Sequence, residues 1–237
     1  MRSLSYLKKF FLNLFFPKFC LGCQKEGSYL CQDCFSILEI SEYQYCLCKK
    51  PQRLAQAGKC RFCYQKKLNG LYFAASYQNQ FLQKMIRQFK YEPYVKELAE
   101  PLASLIIAHF KLSSNPPQFG QNWILVSVPL DKKKEKKRGF NQTKEIVKEL
   151  SKELKLSLVA DVLAKIKETR PQVDLEEAER MENPLGAFLV KNEEAIKNKK
   201  ILLIDDVYTT GATMEECAKV LKESGAKEVW GMAIARG

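Results

Sequence analysis

The sequence predicts an α/β domain, a parallel sheet flanked by helices, behind a small cysteine-rich module at the N-terminus. Three observations predict it. Eight of the nine cysteines fall between Cys20 and Cys63. Beyond residue 68, short apolar runs alternate with amphipathic segments, which is the pattern of strands alternating with helices. One of those runs, Ile201–Ile204, ends in two acids and a threonine-rich turn that leads into a helical pattern. The composition break divides the 237-residue chain into 1–68 and 69–237. With 46% hydrophobic and 28% charged residues, a packed core is within reach and global disorder is excluded.

Taken in order, the first stretch is MRSLSYLKKFFLNLFFPKF. Lys8, Lys9 and Asn13 interrupt its apolar run, and no small-residue cleavage site follows. No export signal is read there, so a cytoplasmic location is expected. Leu4, Leu7, Phe11, Leu14 and Phe15 make a helical stripe. It packs on its own domain or docks on a membrane or partner.

The cysteines follow as Cys20-x2-Cys23-x7-Cys31-x2-Cys34-x11-Cys46-x-Cys48-x11-Cys60-x2-Cys63. Thiols two residues apart present both sulfurs to one tetrahedral zinc ion. Eight such ligands supply one or two Zn²⁺ sites. Four thiolates leave no open coordination position, so the role is structural. A disulfide framework is the alternative, and it needs an oxidising compartment. Sequential tetrads, Cys20/Cys23/Cys31/Cys34 and Cys46/Cys48/Cys60/Cys63, are preferred, and interleaving stays open. Cys46-x-Cys48 is one residue tighter than the usual knuckle, which leaves the second ion in question.

In the second part, Leu71–Tyr77 reads as a strand and Gln80–Phe89 as an amphipathic helix. Leu98–Phe110 reads as a further helix holding the single histidine, His109, in a structural position. Ile124–Val128 is a buried strand. The lysine-dense DKKKEKKR that follows, Asp131 to Arg138, carries six basic against two acidic side chains, a net +4. It is read as a loop at the sheet edge, either a clamp for a departing anion, a nucleic-acid contact, or a solvated lysine run. Arg138 and Lys132 are its strongest individual candidates. Asn141–Leu154 is a helix and Val159–Val162 a short strand. Lys167–Asn183 is poor in apolar residues and reads as a mobile loop or surface helix. Phe188–Val190, Ile201–Ile204 and Glu228–Ile234 are strands, and Ala212–Ser224 a helix with Cys217 as a core thiol.

The run ILLIDDVYTTGAT carries the chemistry. Backbone N–H groups at a helix start, with hydroxyls from Thr209, Thr210 and Thr213, suit a phosphate monoester. Gly211 permits close approach. Asp205 and Asp206, at the end of a strand, can accept hydrogen bonds from vicinal hydroxyls and steer a hydrated Mg²⁺. A phosphorylated sugar fits these features, and the GxxxxGK[ST] loop of nucleoside-triphosphate sites is absent. The formal net charge of +12, from 39 basic and 27 acidic residues, adds a polyanion partner or a merely solvated surface.

This run resembles the 5-phosphoribosyl 1-diphosphate (PRPP) motif of type I phosphoribosyltransferases. The resemblance implies that Asp205 and Asp206 hold the ribose hydroxyls. It implies that Val207, Tyr208, Thr209, Thr210, Gly211, Ala212 and Thr213 complete the sugar-phosphate site. Val128-Pro129-Leu130 with Arg138-Gly139-Phe140-Asn141-Gln142 resembles a block of the ComF family of competence proteins. So do Thr169-Arg170-Pro171-Gln172, Arg180, Asn183, Ala187-Phe188, the cysteines, and the ending Ala235-Arg236. From the resemblance, Arg138 with Asp205 and Asp206 would be catalytic. Lys132 and Arg170 would bind the diphosphate, and Arg170 and Arg180 would lie in a mobile loop that closes over it.

Two function classes follow. One is a ComF-like protein that binds PRPP with Mg²⁺ and acts in DNA uptake or processing. Single-stranded DNA, contacted by aromatics such as Tyr45, Phe62 and Tyr64, and a competence helicase would be its partners. The other is an active phosphoribosyltransferase of nucleotide metabolism, moving ribose 5-phosphate to a nitrogen base.

Overall fold

The computed structural model of the chain describes residues 17–167, 179 and 183–237. The N-terminal stripe Leu4 to Phe15, and Arg170 and Arg180, lie outside the described residues. Elements run α1 Gln32–Ser36, β1 Gln44–Tyr45, β2 Arg53–Leu54, β3 Leu71–Ser76, α2 Gln80–Lys90, a 3-10 turn Lys96–Leu98, α3 Ala99–Leu112, β4 Trp123–Ser127, α4 Lys132–Arg138 and α5 Gln142–Leu154. They continue with β5 Ser157–Leu158, β6 Leu163–Lys165, β7 Phe188–Val190, β8 Lys200–Tyr208, α6 Ala212–Glu223 and β9 Glu228–Arg236.

One seven-stranded sheet, in the order β2-β1-β3-β9-β8-β4-β5, dominates. The five strands from β3 to β5 are mutually parallel, and the short β1–β2 hairpin joins antiparallel at the β3 edge. The central strand β8 is apolar without alternation because both its faces are covered. Its pleat sends Leu202 and Ile204 into one cluster with α2, α3 and α5, through Met85, Phe89, Leu105, Ile106, Ile146 and Leu150. Ile201 and Leu203 go into the other, with Met214, Cys217, Ala218 and Leu221 of α6 and with Cys46, Leu47 and Cys63 of the cysteine module. Each such fully buried Leu or Ile contributes about 1.5–3 kcal/mol of burial.

Three expectations are corrected. The acids do not close strand β8. The ladder continues past them, with Asp205 opposite Ala233 and Tyr208 opposite Arg236, because β9 runs alongside to Arg236. DKKKEKKR is a helix rather than a loop. Asp131 caps its start by accepting from the Lys133 and Lys134 N–H groups, and Gly139 ends it in the left-handed region at φ 77°. The strand expected over 159–162 is replaced by β5 before it and β6 after it. The break at residue 68 coincides with a continuous sheet, since Tyr45 pairs with Leu71 across it. The hairpin thereby covers an edge of β3 that would otherwise expose unpaired backbone groups.

Topology fixes where a ligand would sit. The chain leaves β4 through α5 toward β5, and leaves β8 through α6 toward β9, on opposite faces and in opposite directions. The carboxyl ends of β4 and β8 therefore flank a topological switch point, where open α/β sheets form their crevices.

Candidate functional site

A cleft of about 1020 Å³ opens at that switch point. The segment after β4 (Val128 to Leu130) and the stretch from Asp205 to Thr210, with Thr213, line it. The acidic pair and the threonines read from the sequence thus meet in one place. Alternation along β8 separates the two acids: Asp206 is buried and Asp205 half-buried.

Asp206 has partners on both oxygens. Lys90 Nζ lies 2.7 Å from Oδ1, and Gln142 Nε2 donates to Oδ2 at 3.1 Å. Arg138 in turn donates to Gln142 Oε1 at 2.7 Å. A chain of contacts, Arg138 to Gln142 to Asp206 to Lys90, therefore crosses the floor of the cleft. Burial alone would lower the Lys90 pKa, but the Asp206 carboxylate beside it holds it above the usual lysine value. Asp205 is different. Burial, with the neighbouring Asp206 charge, pushes its carboxyl up to about 7. A cation or a set of hydroxyl donors placed beside Asp205 would be favoured there, because it would restore the charged form.

Beyond the acids the chain turns sharply. Gly211 adopts φ 80° and precedes the first turn of α6. A Cβ at this position would collide with the Tyr208 ring. The loop therefore needs glycine on two counts, the backbone angle and the close packing. The helix start it creates sets its first-turn backbone beside Thr210 and Thr213, with the Ala212 N–H donating to Thr210 Oγ1 at 3.3 Å, and a helix N-terminus attracts phosphate. Tyr208 itself is buried, and burial raises its phenol. The guanidinium of Arg236 lies over the Tyr208 ring at 5.4 Å and over the Phe73 ring at 5.6 Å.

Basic side chains divide between two cavities. Lys134 and Arg138 line the cleft, one turn apart on α4. Lys132 lines a neighbouring cavity of about 300 Å³ instead, together with Glu135, Lys144 and Asp161. Lys165 of β6 lines both. The structure thus places Arg138 with the acids and Lys132 apart from them.

The cysteines form two sequential tetrads, Cys20/Cys23/Cys31/Cys34 and Cys46/Cys48/Cys60/Cys63. Within each, all four sulfurs lie within 4.8 Å of one another. A tetrahedral ion with Zn–S bonds of about 2.3 Å sets its sulfurs about 3.8 Å apart. Observed separations of 3.5 Å for Cys23–Cys31 and for Cys48–Cys60, and 3.7 Å for Cys60–Cys63, agree with that. Backbone N–H groups of Cys31, Cys34, Gln52, Cys60 and Phe62 point at tetrad sulfurs. Such donors favour the thiolate. Both tetrads could hold structural zinc, the tighter Cys46-x-Cys48 pair included.

The second tetrad also touches the site. Arg236 donates from both terminal nitrogens to the carbonyls of Cys46 and Cys48. Leu47, Cys48, Lys49, Phe62, Cys63 and Lys66 line the same cleft as the threonine loop. Of the aromatics singled out in the sequence, Phe62 and Tyr64 are exposed, whereas Tyr45 packs on Phe73 at 5.6 Å. His109 is buried and bonds the Ser41 carbonyl, the structural role expected of it.

Sequence reasoning missed Lys90, Lys134, Lys165 and the Asp206-binding role of Gln142. Lys90 sits at the end of an amphipathic helix, and only the fold brings that end beneath β8. A separation of 116 positions between Lys90 and Asp206 leaves no local signal.

Comparison with known proteins agrees with this geometry. The phosphoribosyl transferase domain family matches residues 136–235, the span that holds Arg138, both acids and the threonine loop. Competence protein ComFC of Streptococcus pneumoniae is 30% identical over 214 residues, covering 90% of each chain. Competence protein F of Haemophilus influenzae is 26% identical over 220 residues, covering 91% of this chain and 90% of its own. DNA utilization protein YhgH of Escherichia coli is 28% identical over 151 residues, 63% of this chain and 65% of its own. A phosphoribosyltransferase-type sheet behind two cysteine tetrads, with a relative this similar over nine-tenths of both lengths, places the chain in the ComF family of competence proteins.

Proposed function

We propose that the chain binds PRPP with Mg²⁺ in the cleft at the β4–β8 switch point and acts in DNA uptake or processing, with zinc in both cysteine tetrads. One observation carries the reading. The half-buried Asp205, the paired Asp206 and the glycine-pinned threonine turn share a single cleft with Lys134 and Arg138. The turn and the start of α6 suit the 5-phosphate, the acids suit the ribose hydroxyls, and the cations on α4 suit the diphosphate. Mg²⁺ would be steered by the two carboxylates and would neutralise diphosphate charge. The DNA role rests on relatives named for competence and DNA utilization and on the net charge of +12. Single-stranded DNA and a helicase are the partners this role calls for, on the cytoplasmic side. Among the described residues no helix is long and apolar enough to cross a membrane.

Consumption of the ligand is the narrower form of the proposal. A nitrogen lone pair would bond to the anomeric carbon, and the C–O bond to diphosphate would break. The electron pair would leave on the diphosphate beside Lys134 and Arg138, and the nitrogen's proton would pass to solvent.

Calorimetric titration of PRPP with Mg²⁺ into wild type and into Asp205→Asn/Asp206→Asn tests the site. A loss of at least tenfold in affinity is expected, since each lost charge-assisted hydrogen bond is worth about 1.5–3 kcal/mol. Equal affinity in both proteins would overturn it. Salt-sensitive binding of single-stranded DNA tests the role, and no binding at low salt would remove it.

A further inference from the structure

The floor of the cleft carries a cation of its own. Lys90 is the last residue of α2, and the helix is fixed by its buried residues Leu82, Met85, Ile86 and Phe89. The Lys90 ammonium stands 2.7 Å from Asp206 Oδ1, with the lysine side chain 22% and the carboxylate side chain 5% exposed. The other oxygen, Oδ2, accepts from the Gln142 amide. That amide is held in its orientation, because Arg138 donates to its Oε1. Both Asp206 oxygens are therefore engaged by groups that are themselves anchored.

The wider cleft points the same way. Its lining sets six basic side chains, Lys49, Lys66, Lys90, Lys134, Arg138 and Lys165, against the carboxylates of Asp205 and Asp206. Such surroundings repel a bare divalent cation and attract an anion. To bond Asp206, the cation would displace Lys90 or Gln142 and then stand beside the ammonium. Like charges repel strongly where little water screens them. Mg²⁺ also sheds its waters reluctantly, and it favours sites that add phosphate oxygens to one or two carboxylates.

We propose that Lys90 is a positioning residue, the resident counter-cation of Asp206, which fixes that carboxylate in the cleft floor and closes it to divalent metal. Each carboxylate oxygen keeps a second lone pair, so Asp206 still accepts from a sugar hydroxyl. Asp205 is the acid left to steer a metal ion that arrives on the ligand's phosphates. The consequence for ligands rests on the proposed sugar-phosphate site. With Asp206 already held, a sugar monophosphate that lacks the diphosphate needs no Mg²⁺.

Mn²⁺ alone, a paramagnetic substitute for Mg²⁺, tests the closed carboxylate on the full zinc-loaded chain. Its free-ion electron paramagnetic resonance signal falls as it binds. Wild type and Asp206→Asn should bind Mn²⁺ alike, to within about twofold, because Lys90 already excludes the ion from Asp206. Lys90→Met should gain about tenfold or more in affinity for one ion, since the repelling charge has gone. Lys90→Met/Asp206→Asn should lose that gain, and Lys90→Arg, which keeps the charge, should match wild type. Weaker Mn²⁺ binding by Asp206→Asn than by wild type would overturn the proposal. That comparison needs no lysine variant, which matters because Lys90→Met leaves a buried carboxylate unpaired and lowers stability. A Lys90→Met protein with wild-type circular dichroism and no added ion would overturn it as well. Calorimetry of ribose 5-phosphate, with Mg²⁺ added or omitted, tests the consequence. Wild type should bind equally in both, to within about threefold, and Lys90→Met should bind more tightly with Mg²⁺ than without. A dependence of about tenfold or more in wild type would overturn the proposal. If neither ribose 5-phosphate nor PRPP binds wild type while the Mn²⁺ series runs as expected, the sugar-phosphate reading fails and the role of Lys90 stands.

Discussion

The two cysteine tetrads have the same ligands and different surroundings. The first rests on helix α2. Lys84 donates to the Leu21 carbonyl at 2.7 Å, and a Cβ at Gly22 would lie 2.7 Å from Cys34 Sγ and 3.3 Å from Phe81. None of its residues lines the cleft. The second is wired into the site through Arg236, through the Tyr45–Leu71 pairing, and through the wall that carries Phe62. A cysteine knuckle can therefore be a staple in one place and part of the candidate cleft's wall in another. What decides is whether its backbone carbonyls and loop residues meet the functional cleft, and ligand identity has no bearing on that.

The largest separation between the tetrads should come from removing their ligands in pairs. Cys46→Ser/Cys63→Ser and Cys23→Ser/Cys31→Ser should each lose one equivalent of zinc by elemental analysis. A four-thiolate zinc site in a small module supplies much of that module's folding energy, on the order of 10 kcal/mol. The first tetrad's pair should nonetheless leave PRPP affinity within threefold, and the second tetrad's pair should weaken it by more than thirtyfold. Equal losses would show that the two tetrads support the cleft alike.

Arg236→Ala gives the next effect and isolates the link without touching a thiol. The buried guanidinium makes charge-assisted hydrogen bonds to two carbonyls, each worth about 1.5–3 kcal/mol. Unfolding by urea should show a loss of about 3 kcal/mol. Arg236→Lys should recover less than half, because an ammonium lacks the planar fork that spans both carbonyls. Lys84→Ala, the matching cut at the exposed contact of the first tetrad, should cost under about 1 kcal/mol. A larger loss from Lys84→Ala than from Arg236→Ala would reverse the contrast.

These residues also mark how far the sequence could be read. The tetrads, the acidic pair and the threonine turn were legible because each is local. Their spacing is set by knuckle geometry or by a strand–turn–helix junction, within a dozen or so residues. The sheet followed from apolar runs too short for helices. What stayed hidden was contact across the chain. Nothing near Lys90 announces Asp206, and nothing near Phe62 announces that it lines one cleft with the threonine loop. The helix over DKKKEKKR was hidden for another reason. Its composition is a solvated lysine run, and only the Asp131 cap and the Gly139 exit distinguish helix from loop. Lys132 shows the same limit at finer scale, since helical rotation sends it to the smaller cavity while Lys134 and Arg138 meet the cleft.

The acids give a titration inside the cleft itself. Asp205 is raised to about 7, so lowering the pH protonates it in the folded protein and removes a hydrogen-bond acceptor from the site. Affinity for PRPP with Mg²⁺ should rise as pH increases through 7, by about tenfold between pH 6 and pH 8. The ligand's own phosphate ionises near pH 6 and adds some dependence. Asp205→Asn is the control, and it should keep the ligand's share and lose the remainder. The first-tetrad pair of serines should show the wild-type profile. A profile unaffected by Asp205→Asn would mean that the raised carboxyl does not meet the ligand.

The smallest expected effect at the cleft comes from Gly22→Ala, and its smallness is the informative part. The new methyl would press on Cys34 Sγ and on the Phe81 ring. Overpacking of this kind costs about 1–3 kcal/mol. Competition with a chromogenic chelator should therefore extract one zinc equivalent more readily than from wild type, by roughly five- to a hundredfold. The second equivalent and PRPP affinity should both be unchanged. If cleft binding fell together with the first zinc, α2 would be transmitting the strain. That helix runs from Phe81, against the first tetrad, to Lys90, against Asp206, so a path exists. Its interior is anchored by fully buried Leu82, Met85, Ile86 and Phe89, which hold the helix in place against a one-methyl push. Unchanged binding in Gly22→Ala would then show that the first tetrad shapes its own module and stops there, while the second reaches the ligand.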